Sequence, residues 1–279
     1  MENSLKKIVY DLCIPGLRNA QGPNWLNLMS FLHQSITNLG HNVEVQEWSD
    51  AQGRTYKNFI VRFNGQKKGT YIIGAHYDTF QDTPGADDNA SAVAVLLGIL
   101  SRLSPDENFE YSWEFVFYAC EEPPFFGTDE MGSWKHSSSV DAASIICMIC
   151  LEMVGYFSDE PNSQDYPFAP LKWIYGSKGN YIMGISNQKS KSEASKIIKK
   201  LQEIRPNFYR KLIPPFTFSG LDWSDHSSYW RNDIPAIMLT DTAMFRNQNY
   251  HTDKDLPETL NYEKMALFTN DLIQMIKTL

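Results

Sequence analysis

The chain has 279 residues, 42% of them hydrophobic, and a formal net charge of −8. That length and apolar content support a sizeable core, and the acidic balance argues against non-specific nucleic-acid binding. No run of about 18 apolar residues occurs, which excludes a membrane-spanning helix, and with no repeat or low-complexity stretch disorder is not expected.

Residues 1–15 interleave Lys6, Lys7 and Asp11 with apolar residues and lack the unbroken apolar core of a signal peptide. The expected location is the cytoplasm, or outside the cell if a signal was removed. Residues 24–39 carry apolar positions at helical spacing, and Gly40 follows as a stop. Val43 and Val45 alternate with polar residues, as do residues 58–63, which predicts antiparallel strands. Residues 70–75 form a buried strand ending at His76, and residues 90–103 a strongly apolar helix. Further buried strands are expected over 113–120, ending at Glu121, over 145–151, ending at Glu152, and over 234–240. An amphipathic helix covers 192–204 and a C-terminal helix 262–279, while 156–170 and 213–225 read as loops that could shape a pocket. Strands alternating with helices predict an α/β fold, a mixed, mostly parallel sheet covered on both faces. One domain over 1–279 is expected, with a helical segment, 1–40, packed on it.

The cysteines are Cys13, Cys120, Cys147 and Cys150. Residues three apart on a strand face opposite ways, so C-M-I-C reads as two plain buried thiols in a reducing compartment.

Acid and histidine residues stand at the ends of the apolar runs: His76 and Asp78 in G-A-H-Y-D, Asp88 in P-G-A-D-D-N-A-S, the pair Glu121-Glu122, Glu152 in L-E-M-V-G-Y, and His251 in Y-H-T-D. Strand ends of an α/β sheet converge on one edge, so these residues form a ligand set for a pair of divalent metals, zinc above all. In H-x-D, His76 can bind metal while Asp78 accepts its other N–H. Asp88 could be no more than a helix cap, but a second aspartate beside it weakens that reading. Glu121 and Glu122 would repel without cations; one can ligate while the other takes a proton from water. His33, His41 and His136 read as structural, and Asp225-His226 in W-S-D-H-S-S as possible pocket residues. No G-x-S-x-G and no phosphate loop is present.

G-A-H-Y-D-T, P-G-A-D-D-N-A-S, C-E-E-P-P-F-F-G-T, L-E-M-V-G-Y, W-S-D-H-S-S-Y-W and Y-H-T-D-K-D occur in that order. Over roughly residues 56–279 the set resembles the zinc-dependent exopeptidases related to bacterial leucyl aminopeptidase and glutamate carboxypeptidase. The resemblance implies a three-layer α/β/α sandwich with a mixed sheet of about eight strands and two Zn2+ per chain. Asp88 would bridge them, His76 and Glu152 completing one site and Glu122 and His251 the other. Glu121 would be the general base and acid, with Asp78 orienting His76. The implied activity is hydrolysis of a peptide or small aminoacyl substrate, as an aminopeptidase. Two departures stand out. Glu152 replaces the aspartate of many aminopeptidases, and Trp223 precedes S-D-H where some relatives have a tyrosine, leaving the oxyanion donor unassigned.

A glutaminyl cyclase with a single zinc is the alternative, followed by a carboxypeptidase, for which Arg210, Lys211 and Arg246 are candidate carboxylate binders. A non-catalytic binding domain on the same fold is the fourth. Phe125, Phe126, Trp223 and Tyr229 hint at an apolar pocket.

Overall fold

The computed structural model describes residues 1–215 and 220–279; residues 216–219 of the 213–225 loop lie outside it. The chain opens with α1 (Glu2–Leu12) and α2 (Trp25–Thr37), followed by β1 (Glu44–Ser49), β2 (Thr55–Phe63), β3 (Gly65–His76), α3 (Ala92–Leu100) and β4 (Phe109–Tyr118). It continues through α4 (Gly132–Ser137), β5 (Ile145–Glu152), α5 (Ala169–Tyr175), β6 (Ile182–Ser186) and α6 (Lys191–Ile204). The last elements are β7 (Tyr209–Leu212), α7 (His226–Arg231), β8 (Ala236–Thr240) and α8 (Tyr262–Ile276).

The strands form one eight-stranded sheet in the order β1-β2-β4-β3-β5-β8-β6-β7. β4 with β3, β3 with β5, β5 with β8 and β6 with β7 pair parallel; β1 with β2, β2 with β4 and β8 with β6 pair antiparallel. The expected mixed α/β sheet is therefore present. Side chains of α1, α2, α3, α6 and α8 pack with Phe59, Ile73, Phe117 and Ile149 on one face. The other face, with Ile72, Val116 and Met148, lies under Tyr229 and Trp230 of α7, which also holds α4. Layers of helix on both faces explain why the central strands read as continuous apolar runs. They also separate the two thiols of C-M-I-C: Cys147 joins the first core and Cys150 the second. Every residue of α3 is buried, as an all-apolar helix between layers must be.

Several short elements were not predicted individually, α5, β6 and β7 among them, and α1 was expected only as part of a helical segment. α1 buries Leu5, Val9 and Leu12 at helical spacing, a stripe that the charges between them obscured. β6 is five residues with a central glycine, and β7 is four residues containing Arg210 and Lys211. A short, charged edge strand guards against pairing with another chain and leaves almost no apolar alternation to read.

Gly74 in β3 lies beneath Tyr118 of β4: a Cβ there would come 2.3 Å from Cε2 of the ring. The ring is held by a 2.6 Å hydrogen bond between the Tyr118 and Tyr229 hydroxyls. Gly74→Ala is therefore expected to destabilise the fold by about 1–3 kcal/mol. It should lower the urea midpoint without changing the slope; an unmoved midpoint would mean that the ring yields freely.

Candidate metal centre

β4, β3, β5 and β8 run parallel and end on one edge of the sheet. β3 is followed in sequence by β4 on one side and in space by β5 on the other. The crevice outside their ends thus opens where the strand order reverses, the usual ligand site of such sheets. His76 is the last residue of β3 and Glu152 of β5, and Glu121 and Glu122 follow β4. Cys120, Met153 and His251 have left-handed backbones, with φ of 61°, 46° and 58°. Such conformations cost on the order of 1–3 kcal/mol each and concentrate at functional sites.

An irregular helical turn, Ala86–Ser91, carries Asp88. Its other polar side chains are stitched to the backbone at the end of β5 and just beyond it. Asp87 Oδ1 accepts the Gly155 N–H, Asn89 donates to the Leu151 carbonyl and accepts the Met153 N–H, and Ser91 Oγ accepts the Val154 N–H. Asp87 is further held by Asn247 Nδ2 at 2.9 Å. Asp88 alone turns into the crevice. The Asp255 carboxylate, from the Y-H-T-D-K-D segment, accepts the Asp87 and Asp88 N–H groups and fixes the turn from behind. Gly85 precedes it with φ of 56°, and a Cβ there would meet the Asp88 carbonyl at 2.2 Å, so only glycine fits. Arg18, fully buried, donates to the carbonyls of Leu12, Pro84 and Gly85, with Asp78 at the limit of reach at 3.5 Å.

The anticipated site residues converge. His76 Nε2 lies 3.3 Å from Asp88 Oδ1 and 3.4 Å from Glu152 Oε2. His251 Nε2 lies 3.1 Å from Asp88 Oδ2 and 3.3 Å from Glu122 Oε1. Two triads result, His76–Asp88–Glu152 and Asp88–Glu122–His251, each able to close on one ion. Donors about 2.0–2.1 Å from a tetrahedral zinc stand about 3.3 Å apart, which matches these separations. Glu122 Oε1, the oxygen facing His251 Nε2, is buried without a hydrogen-bond partner, and mixed imidazole and carboxylate donors suit zinc. The residues present fit the metal pair. Glu121 Oε2 is 3.9 Å from His76 Nε2, outside both triads.

Asp78 does more than the sequence suggested. Its Oδ1 is 3.5 Å from His76 Nδ1, long for a hydrogen bond, while its two oxygens accept the N–H groups of Glu121 and Glu122 at 3.1 and 3.0 Å. One carboxylate therefore sets both glutamates. The ring of His251 stacks with those of Phe80 and Tyr250. His41 bonds the Leu100 carbonyl and His136 the Tyr229 hydroxyl, both away from the crevice. Asp225 is buried with neither oxygen hydrogen-bonded.

Burial raises the pKa of Glu121 well above the usual carboxylate range, with Glu122 and Glu152 adding to it although His76 opposes. Burial and Asp88 push Glu122 up to about 7. Burial works against charge on His251, yet Asp88 and Glu122 hold it at about 10; His76 is likewise raised, Glu121 and Glu152 overcoming its burial.

A cleft partly open to solvent runs from Glu152 between Met183, Ile185, Leu221, Met238 and Phe245, with Trp223 and Tyr250 on its walls. Of the aromatics expected at a pocket, Trp223 is there. Phe125 instead packs edge-on against Tyr56, Tyr229 is sealed in the core beneath α7, and Phe126 lines a separate surface groove. Tyr250 was missed; it directly precedes His251 and brings a phenol to the cleft. Among the described residues no Lys or Arg lines the cleft: Arg246 is buried against Gln164 and the Tyr156 carbonyl, Arg210 lies over Tyr181, and Lys211 bonds Ser195.

A helix-covered mixed sheet with histidines and carboxylates gathered where its parallel strands end defines a metallopeptidase. The chain belongs to peptidase family M28, whose model matches residues 58–276. It is 39% identical over 232 residues to the uncharacterized protein YfbL of Escherichia coli, covering 80% of this chain and 71% of the relative. It is 28% identical to a probable leucine aminopeptidase of Arthroderma otae over 75% of this chain and 53% of that one, so it spans about half the length of the fungal relative. Among solved structures, LapA of Legionella resembles it with a TM-score of 0.75 at 18% identity, over 99% of this chain and 72% of that one. The glutaminyl cyclase of Porphyromonas gingivalis does so with 0.74 at 20% identity, over 100% and 98%. At these identities the structural likenesses establish the fold.

Without a cation, burial and neighbouring carboxylates favour a charged His251 and shift Glu122 toward its protonated form. Ligation needs neutral imidazole and ionised carboxylate, so loading zinc at pH 7 should release protons, and affinity should rise with pH until His251 titrates near 10. Calorimetry in two buffers of different ionisation enthalpy measures the release; zero release would argue against these donors.

Proposed function

We propose that the chain is a two-zinc exopeptidase that removes N-terminal amino acids, those with apolar side chains before others. The observation that carries this reading is Asp88, whose two oxygens each face a different histidine, so that two complete triads share one carboxylate. His76 and Glu152 would hold one cation and Glu122 and His251 the other. Bound there, the cations would polarise the scissile carbonyl and acidify a water.

The chain's own residues supply the rest. Glu121, outside both triads and with a raised pKa, takes a proton from the attacking water and passes it to the leaving nitrogen, a role typically worth about 100- to 10,000-fold. Asp78 keeps its carboxylate in register through the Glu121 N–H. Tyr250 keeps its proton, since burial and the nearby Asp88 raise its pKa, and can donate to the oxygen of the carbonyl under attack. The apolar cleft accepts the side chain of the residue to be released, and Glu152 in its lining favours an ammonium group. The lack of Lys or Arg among the described residues of the cleft disfavours a carboxypeptidase. The cyclase resemblance in fold keeps N-terminal glutaminyl peptides in the test, but a single-zinc cyclase does not call for a second triad.

Elemental analysis should find two zincs per chain, and unblocked leucyl or methionyl substrates should be cleaved while N-acylated ones are not. One zinc with cyclisation of glutaminyl peptides would make the protein a cyclase. Glu121→Gln should lower kcat by about 100-fold or more and keep both zincs; unchanged turnover in that variant would remove Glu121 from the reaction.

A further inference from the structure

Glu152 reaches the His76–Asp88 cluster from the end of β5, and its carboxylate has one torsion more than an aspartate would. Something must hold it. Ser224, fully buried just ahead of α7, donates from Oγ to Glu152 Oε2 at 2.6 Å. That is the length of a charge-assisted hydroxyl–carboxylate bond, and Oε2 is the same oxygen that faces His76 Nε2 at 3.4 Å. A hydroxyl has one proton to donate and lone pairs to accept with. Cys150 lies two residues before Glu152, on the same face of the strand, with its Sγ 3.3 Å from Ser224 Oγ. The thiol can supply the proton that Ser224 accepts, leaving the hydroxyl proton aimed at the carboxylate. The second triad is held by other means: Glu122 through its N–H to Asp78, and His251 by stacking on Phe80 and Tyr250.

We propose that Ser224 is a positioning residue for Glu152 and sets the affinity of the cation held by His76, Asp88 and Glu152 without altering that of the other. The assignment rests on the two-cation reading above. The test is a double-mutant cycle of Ser224→Ala and Glu152→Asp, in which both stepwise zinc affinities are measured by competition with a chromophoric chelator. Removing an outer partner of a ligand typically costs about 10- to 100-fold in metal affinity. Ser224→Ala should show that loss in one of the two steps only. Glu152→Asp draws the carboxylate back by roughly one C–C bond, about 1.5 Å, out of reach of Oγ, so adding Ser224→Ala to it should change neither step further. A residue that merely starts α7 would act equally in both backgrounds, and that result overturns the proposal. So does a Ser224→Ala protein with both steps unchanged, or both weakened alike. A wild-type protein that takes up fewer than two zincs overturns the two-cation reading itself, and this proposal with it.

Discussion

Carboxylates crowded into a place with little water are the constraint on which this molecule is organised. Asp78, Asp88, Glu121, Glu122, Glu152 and Asp225 are all buried around His76. Two like charges about 4 Å apart repel by about 4 kcal/mol at an effective dielectric constant of about 20, so such a cluster persists only with protons or cations in it. The surrounding structure resists that repulsion by tying several of these acids from behind. Asp78 is tied to two N–H groups, Asp88 through its backbone to Asp255, and Glu152 to Ser224. Left-handed backbone at Cys120, Met153 and His251 is strain that the same ties must hold in place.

Much of this was legible in the sequence because strand ends in an α/β sheet share an edge. His76, Glu121 and Glu152 announce themselves as polar residues that close apolar runs, and Asp88 as an acid ahead of an apolar helix. What stayed hidden depends on which way a side chain turns. Asp87 and Asp88 look equivalent in the chain, yet one bonds backbone and the other faces the crevice. Asp78 read as a partner of His76, although its oxygens are spent on the next strand's turn. Arg18 gave no signal, and Asn89 and Asp255 stood in quoted motifs without a role, since their roles exist only once segments distant in sequence have met. β6 and β7 were lost because short edge strands bearing glycine or charge lack a period to detect.

Chemistry and selectivity are also encoded in different places. The histidines and acids sit on the edge of the four central parallel strands. The cleft walls come largely from β8, β6 and the segments around Tyr166 and Phe245, toward the β7 edge of the sheet. Relatives can therefore share the first set and diverge in the second, consistent with peptidases and cyclases occurring on one fold.

Arg18 binds these levels together. It lies between α1 and α2, ahead of the stretch that matches the family, and its guanidinium grips the carbonyls on which the Asp88 turn begins. Release of the N-terminal helices would take that grip away. By linkage, anything that stabilises Asp88 in place must stabilise the docked N-terminus by the same free energy. Metal loading would then register as resistance to proteolysis near residue 18, far along the chain from the histidines, and the N-terminal arm would act as a reporter of occupancy.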